Sequence, residues 1–150
     1  MTKAHDEAKP LVGSVLLSTA INHCQLLGCH REATYRLGKI SDPKNMRRLF
    51  WTLYIFDRNM SLLLDRPSKL HDRDIDTAYP EVSTNPQVRP WDEAFIMFIR
   101  LAKLQGHLYN ELYSLVASEQ SSAERAERAD KILATLQRWK SDLDSVFNAL

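Results

Sequence analysis

Two cysteines, Cys24 and Cys29, are all that the 150 residues contain. That is too few for a disulfide framework, and too few for a thiolate zinc cage unless several histidines converge. A reducing compartment is expected. Glycine is scarce too, at four residues. Gly13, Gly28, Gly38 and Gly106 stand apart from one another, so no phosphate-cradling glycine loop exists. Charge of one sign is lacking: 20 Lys and Arg oppose 19 Asp and Glu, and a net +1 supplies no field to draw in a nucleic-acid backbone. No apolar run approaches the roughly 20 residues of a transmembrane helix. The longest, 11–20, is broken by Gly13, Ser14, Ser18 and Thr19 and follows Asp6 and Glu7, which suits a signal peptide poorly. The expectation is one soluble, intracellular domain with no membrane partner.

Apolar residues recur at three and four along the whole chain, so the fold class is all-α, a bundle of about four main helices. A first helix over about 11–27 follows Pro10 and stops at Gly28, a natural residue just past a helix end. A connector over 29–40 leads to Asp42-Pro43, a cap and a first-position proline, where a second helix begins. Its apolar stripe is Met46, Leu49, Phe50, Leu53, Asp57, Met60 and Leu64, and Arg66-Pro67 ends it. From 67 to 90 the chain carries four prolines counting both ends, Pro67, Pro80, Pro86 and Pro90, and reads as a long irregular loop with Ile75, Tyr79 and Val82 as anchors. A third helix over 91–116 has a seam of Trp91, Phe95, Phe98, Ala102, Gln105, Tyr109, Leu112 and Val116. Ser121 with Glu124 forms a capping box before a fourth helix, whose seam of Ala129, Ile132, Leu136, Trp139, Leu143, Val146 and Leu150 implies a partner helix.

Catalytic and metal chemistry is not indicated. Asp72, Asp74 and Asp76 alternate like the start of a calcium loop, but Thr77 stands where glycine is required and Ser83 where a bidentate glutamate is required. Capping a turn or pairing with a nearby arginine suits Asp74 and Asp76 better. His23, Cys24, Cys29 and His30 lack zinc-ligand spacing, so Cys24 is read as packed and His30 as a surface residue. No serine sits in a strained elbow beside a histidine and an acid. Lys44, Arg47 and Arg48 read as a solvated first turn. Asp57 is more informative, because it lies on an apolar stripe where an unpaired carboxylate is costly. Either an arginine, with Arg66 and Arg100 as candidates, pairs with it, or the helix is rotated enough for Asp57 to reach water.

One pattern is more specific than periodicity. Arg47-Arg48-Leu49-Phe50-Trp51-Thr52-Leu53-Tyr54-Ile55-Phe56-Asp57-Arg58 is followed by Ser61-Leu62-Leu63-Leu64-Asp65-Arg66-Pro67, and then by Asp74-Ile75-Asp76 before Tyr79-Pro80. Three coupled elements at this spacing resemble the fungal-specific transcription factor domain, the middle homology region of fungal binuclear zinc-cluster regulators. Upstream, Leu26-Leu27-Gly28 with His30-Arg31-Glu32 is similar to the family helix that ends in a Gly-Leu-His-Arg-Glu pattern. The chain differs at Phe50-Trp51, where paired tryptophans are usual, at Asp65, where glycine is common, and at Cys29, where leucine is common.

The resemblance implies a non-catalytic, nuclear, regulatory helical domain. Its partners would be other domains of a transcription factor, a partner protein, a second copy, or a small-molecule effector. Arg48, Leu49, Trp51, Leu53, Tyr54, Asp57, Arg58, Arg66, Pro67, Asp74, Ile75, Asp76 and Pro80 are the positions that carry the family pattern, and a structural role is expected of them. No cofactor is expected in this chain, since zinc would belong to a six-cysteine cluster that no position here matches. No DNA contact is expected either. The resemblance covers the second half of the family's domain, which fits a fragment, a truncated product or a stand-alone module that modulates full-length regulators.

Overall fold

The computed structural model describes residues 3–148, with side chains from 11 onward other than that of Val116. The helices are α1 (Lys3–Leu26), α2 (Glu32–Arg36), α3 (Pro43–Leu63), α4 (Arg89–Leu108), α5 (Leu115–Ser118) and α6 (Ser122–Asn148). No strand occurs among the described residues, and four of the helices are long, as the period requires. The core forms where α1, α3, α4 and the loop after α3 meet: Ile21, Cys24, Cys29, Phe50, Trp51, Tyr54, Leu70 and Ile99 are all buried there.

α1 begins earlier than expected, because Pro10 sits inside the helix rather than ahead of it. Proline there forfeits one backbone hydrogen bond, and the flanking turns continue. The other end is as read. Gly28 takes φ 73°, its N–H donates to the Gln25 carbonyl, and the Cys29 N–H donates to the Cys24 carbonyl, each at 2.9 Å. This pattern normally brings together the residues at its two outer positions, which here are Cys24 and Cys29. The cysteines are thus a buried packing pair at a helix end. His30 beside them is half-buried rather than a surface residue, and its carbonyl accepts from the N–H of Asp76 at 3.1 Å. The connector is not all coil, since α2 forms within it.

α3 starts as expected, with the Asn45 N–H donating to Asp42 Oδ1 at 3.2 Å and Pro43 in the first turn. Its buried face is rotated from the expected stripe and comprises Phe50, Trp51, Leu53, Tyr54, Asp57, Arg58 and Ser61, while Leu49 is 47% exposed. Arg58, named for the family pattern and not for the apolar stripe, lies within this face. The fold supplies partners for it, and α3 is covered by α1, α4 and the loop together. After the helix, Asp65 takes the left-handed φ of 49°, a conformation that Asp tolerates better than most side chains.

The segment 64–88 is irregular apart from a single 3-10 turn, Asp72–Asp74. Leu70 anchors it at 1% exposure, helped by Ile75 and Tyr79, and Val82 is exposed and anchors nothing. The expected third helix is broken. A π-turn at Tyr109–Tyr113 and an extended Ser114 separate α4 from α5. The face that α4 buries is Asp92, Ala94, Met97, Ile99, Ala102 and Gly106, whereas Trp91 is 64% exposed and Phe98 also points outward. Small residues win this face because they let α3 come close. α6 opens on the expected capping box: Ser121 Oγ and the Ser121 N–H reach Glu124 Oε2 at 2.7 and 3.0 Å. Along its seam Ile132 is buried, Ala129, Trp139, Leu143 and Val146 are half-buried, and Leu136 is exposed. Leu150 lies outside the described residues.

Candidate functional site

The polar side chains of α3 converge on the loop that follows it. Asp57, 4% exposed, accepts from the backbone N–H of Lys69 at 2.9 Å and of Leu70 at 2.9 Å. The expected arginine partner is therefore absent: neither Arg66 nor Arg100 bonds this carboxylate, and loop backbone takes its place. Two N–H groups suffice because a carboxylate stabilised by backbone donors needs no counter-charge in contact.

The next residue, Arg58, is also only 4% exposed. Its Nη1 donates to Ser68 Oγ and its Nη2 to Asp72 Oδ1 at 3.2 Å, while the guanidinium lies 4.7 Å from the Tyr54 ring centroid. The guanidinium also rests on Gly106 of α4, where an added Cβ would stand 3.0 Å from Arg58 Cζ. The Tyr54 hydroxyl donates to the same Asp72 oxygen at 2.5 Å, and burial pushes its ionisation well above the ordinary tyrosine range. Trp51 closes the row, its Nε1 donating to the Ala78 carbonyl at 2.8 Å, with Phe50, Tyr54 and Tyr79 all edge-on to it.

Arg47 and Arg48 do not form the solvated turn expected of them. Arg47 forks onto Glu32 of α2, with Nη1 to Oε2 at 2.6 Å and Nη2 to Oε1 at 3.0 Å, and it also reaches Thr77 Oγ1 at 2.9 Å. Glu32 in turn accepts from the Ala78 N–H at 2.8 Å. The Arg47 bond first, then the Ala78 N–H, hold the Glu32 carboxyl down at about 2. Asp76 completes the ring: its Oδ1 accepts from the Glu32 N–H at 2.8 Å, capping α2 from across the loop, and lies 3.7 Å from Arg31. Arg48 points the other way and donates to Asp92 Oδ1 of α4 at 2.6 Å, over the Phe95 ring. Burial alone would raise Asp92, but the Ser83 N–H and Arg48 outweigh it and hold its carboxyl below the ordinary range.

The structure thus brings together Arg48, Trp51, Leu53, Tyr54, Asp57, Arg58, Ile75, Asp76 and the buried Pro80. It leaves Leu49, Arg66, Pro67 and Asp74 exposed, although the Arg66 carbonyl accepts from Ser61 Oγ. The sequence reading missed Glu32, Arg47, Leu70, Asp72, Asp92 and Gly106. None of the six carried a local signal for its partner, because the partners lie 13 or more residues away along the chain.

The arrangement is a clamp of aromatic walls and charge-assisted bonds that fastens a proline-containing loop to three helices. No nucleophile with an adjacent base takes part in it, and no helix among the described residues is long and apolar enough to cross a membrane. The polar residues of α3 are thus engaged in holding an irregular loop against the helices. Comparison places the chain: the profile of the fungal specific transcription factor domain matches residues 4–148, and the chain belongs to that family. An uncharacterized transcriptional regulatory protein of Schizosaccharomyces pombe is 30% identical over 125 residues, 81% of this chain and 19% of the relative. Filamentous growth regulator 27 of Candida albicans is 30% identical over 135 residues, 87% of this chain and 16% of its own length. An ABC-transporter-regulating transcription factor of Aspergillus oryzae is 25% identical over 137 residues, covering 85% and 15%. The chain spans less than a fifth of the length of each of these curated relatives. No solved structure matches it significantly.

Proposed function

We propose that this chain is the regulatory, non-catalytic helical part of a fungal transcription factor and works in the nucleus by protein contacts, without touching DNA or holding a cofactor. The family match over 4–148, with relatives named as transcriptional regulators, is the observation that carries the reading. The clamp supports it as well. Asp57, Arg58 and Asp92 are each bonded within it, Arg58 through both Nη atoms and not through Nε, which suits a part that holds shape rather than one that turns over substrate. A near-neutral charge supports the absence of DNA contact, because no counterion release is available to drive it.

The test is a tethering experiment. The chain is fused in yeast between a heterologous DNA-binding domain and an activation domain, with a reporter gene downstream. Reporter output is expected to change relative to a fusion carrying an unrelated helical protein of equal size, and Asp57→Ala is expected to abolish the change. Output equal to that of the unrelated insert overturns the reading.

A further inference from the structure

Trp51 and Tyr79 meet with ring centroids 5.0 Å apart and planes 73° apart, so the two rings make a two-walled aromatic corner. An ammonium already sits in it. Lys103 Nζ of α4 lies 5.0 Å from the Tyr79 centroid and 5.5 Å from that of Trp51. Next to this corner is a cavity of about 300 Å³ whose lining includes Asp72, Ile75, Asp76 and Thr77 as well as the two rings and Lys103. That volume lies at the small end of the range for ligand sites.

The chemistry of the walls selects one kind of guest. Aromatic faces carry negative partial charge and attract cations, and quaternary ammonium groups are the ligands such corners hold best. Two carboxylates reinforce the sign. Asp72 is already bonded by Tyr54 and Arg58, and Asp76 by the Glu32 N–H with Arg31 nearby, yet their side chains stay 54% and 55% exposed and keep free lone pairs. They disfavour an anion in the cavity. Lys103 is the weak point of its own seat. It is an exposed side chain on a flexible four-carbon stem, and its primary ammonium is strongly hydrated, so it loses more water on entering the corner than a methylated ammonium does.

We propose that the Trp51–Tyr79 corner is a binding site for a small organic cation, a methylated ammonium above all, with Lys103 as an internal competitor that the ligand displaces. The site has a route to the rest of the clamp. The Trp51 indole is bonded to the Ala78 carbonyl, and the Ala78 N–H to Glu32, so a guest at the rings bears on the loop and on α2 together. The inference is independent of the regulatory reading above.

Tetramethylammonium is the probe, followed by calorimetry, with tert-butanol as a neutral molecule of similar shape. Lys103→Met is expected to bind the cation roughly tenfold more tightly than the natural chain, the gain from removing the competitor. Lys103→Gln serves the same purpose should the methionine variant aggregate. Adding Tyr79→Leu to either is expected to abolish binding, with helical circular dichroism unchanged, and tert-butanol is expected to give no heat in any variant. The proposal is overturned if neither Lys103 variant binds the cation more tightly than the natural chain, if loss of the Tyr79 ring leaves the affinity unchanged, or if tert-butanol binds as well.

Discussion

The carboxylate of Asp57 and the backbone N–H of Leu70 stand 2.9 Å apart, joining a helix to a loop residue that is itself 1% exposed. A side chain thus does for the loop what a neighbouring strand does for a sheet. Asp57→Ala leaves the N–H groups of Lys69 and Leu70 unpaired and is expected to cost about 3 kcal/mol. Asp57→Asn keeps one acceptor oxygen and is expected to cost about half as much. Urea melts of both variants measure this, and values within about 0.5 kcal/mol of the natural chain, the range of ordinary surface changes, would place Asp57 outside the clamp.

Two helical glycines should respond to alanine with opposite signs. At Gly13 nothing lies within 4 Å of an added Cβ, so only the helix preference is felt and Gly13→Ala is expected to stabilise by about 0.5–1 kcal/mol. At Gly106 the added carbon meets the Arg58 guanidinium at 3.0 Å, and that group is pinned by Ser68, Asp72 and the Tyr54 ring. There the overpacking outweighs the same preference, and Gly106→Ala is expected to destabilise by about 1–2 kcal/mol. Thermal melts of the two variants give the comparison directly.

Glu32 makes stability depend on acid. Its carboxyl is held at about 2 in the fold, below the value of an unfolded glutamate. A group depressed in this way contributes fully above its unfolded value, and the contribution drains away as pH falls toward the folded one. Between about pH 4.5 and pH 2 the chain is therefore expected to lose about 2 kcal/mol through Glu32, a figure reduced for the solvent that reaches the pair. Glu32→Gln should flatten that part of a pH–stability curve, and an unchanged slope would show that the Arg47 fork does not persist in solution.

The two thiols should be inert while the chain is folded. Burial pushes Cys24 up to about 12, and burial also raises Cys29, so neither offers thiolate at neutral pH. Iodoacetamide is expected to label neither cysteine in buffer near pH 7.5 and both in denaturant, as read by intact mass. Rapid labelling of the folded chain would contradict the packed helix end.

How much of this was open to a reader of the sequence follows from distance along the chain. The Asp42 cap, the Gly28 stop and the Ser121–Glu124 box are each decided within five residues, and all three were legible. Asp57 was recognisably out of place on an apolar face, yet its partners, twelve and thirteen residues on, have no side-chain signature, because the atoms that bond it are backbone. Arg58 was marked by the family resemblance but not by the helical period, for another reason. Its burial depends on Gly106, far along the chain, and absent that surface an arginine on a helix belongs outside. The outward turn of Leu49 and Trp91 shares this cause: small residues at Ala94, Ala102 and Gly106 set which faces approach, and a hydrophobic scale ranks them low.

α6 has 27 residues but buries only Ile132 completely among them, and is tied to α4 through the Trp139 indole, 2.7 Å from the Met97 carbonyl, with Arg128 bonded to Glu111 of the π-turn. The molecule therefore has two tiers of opening. Amide hydrogens along α6 are expected to exchange with solvent by local detachment before those of α3, whose release requires the loop, α1 and α4 to part at once. A protease is expected to meet the same order, with cuts on α6 ahead of cuts on α3.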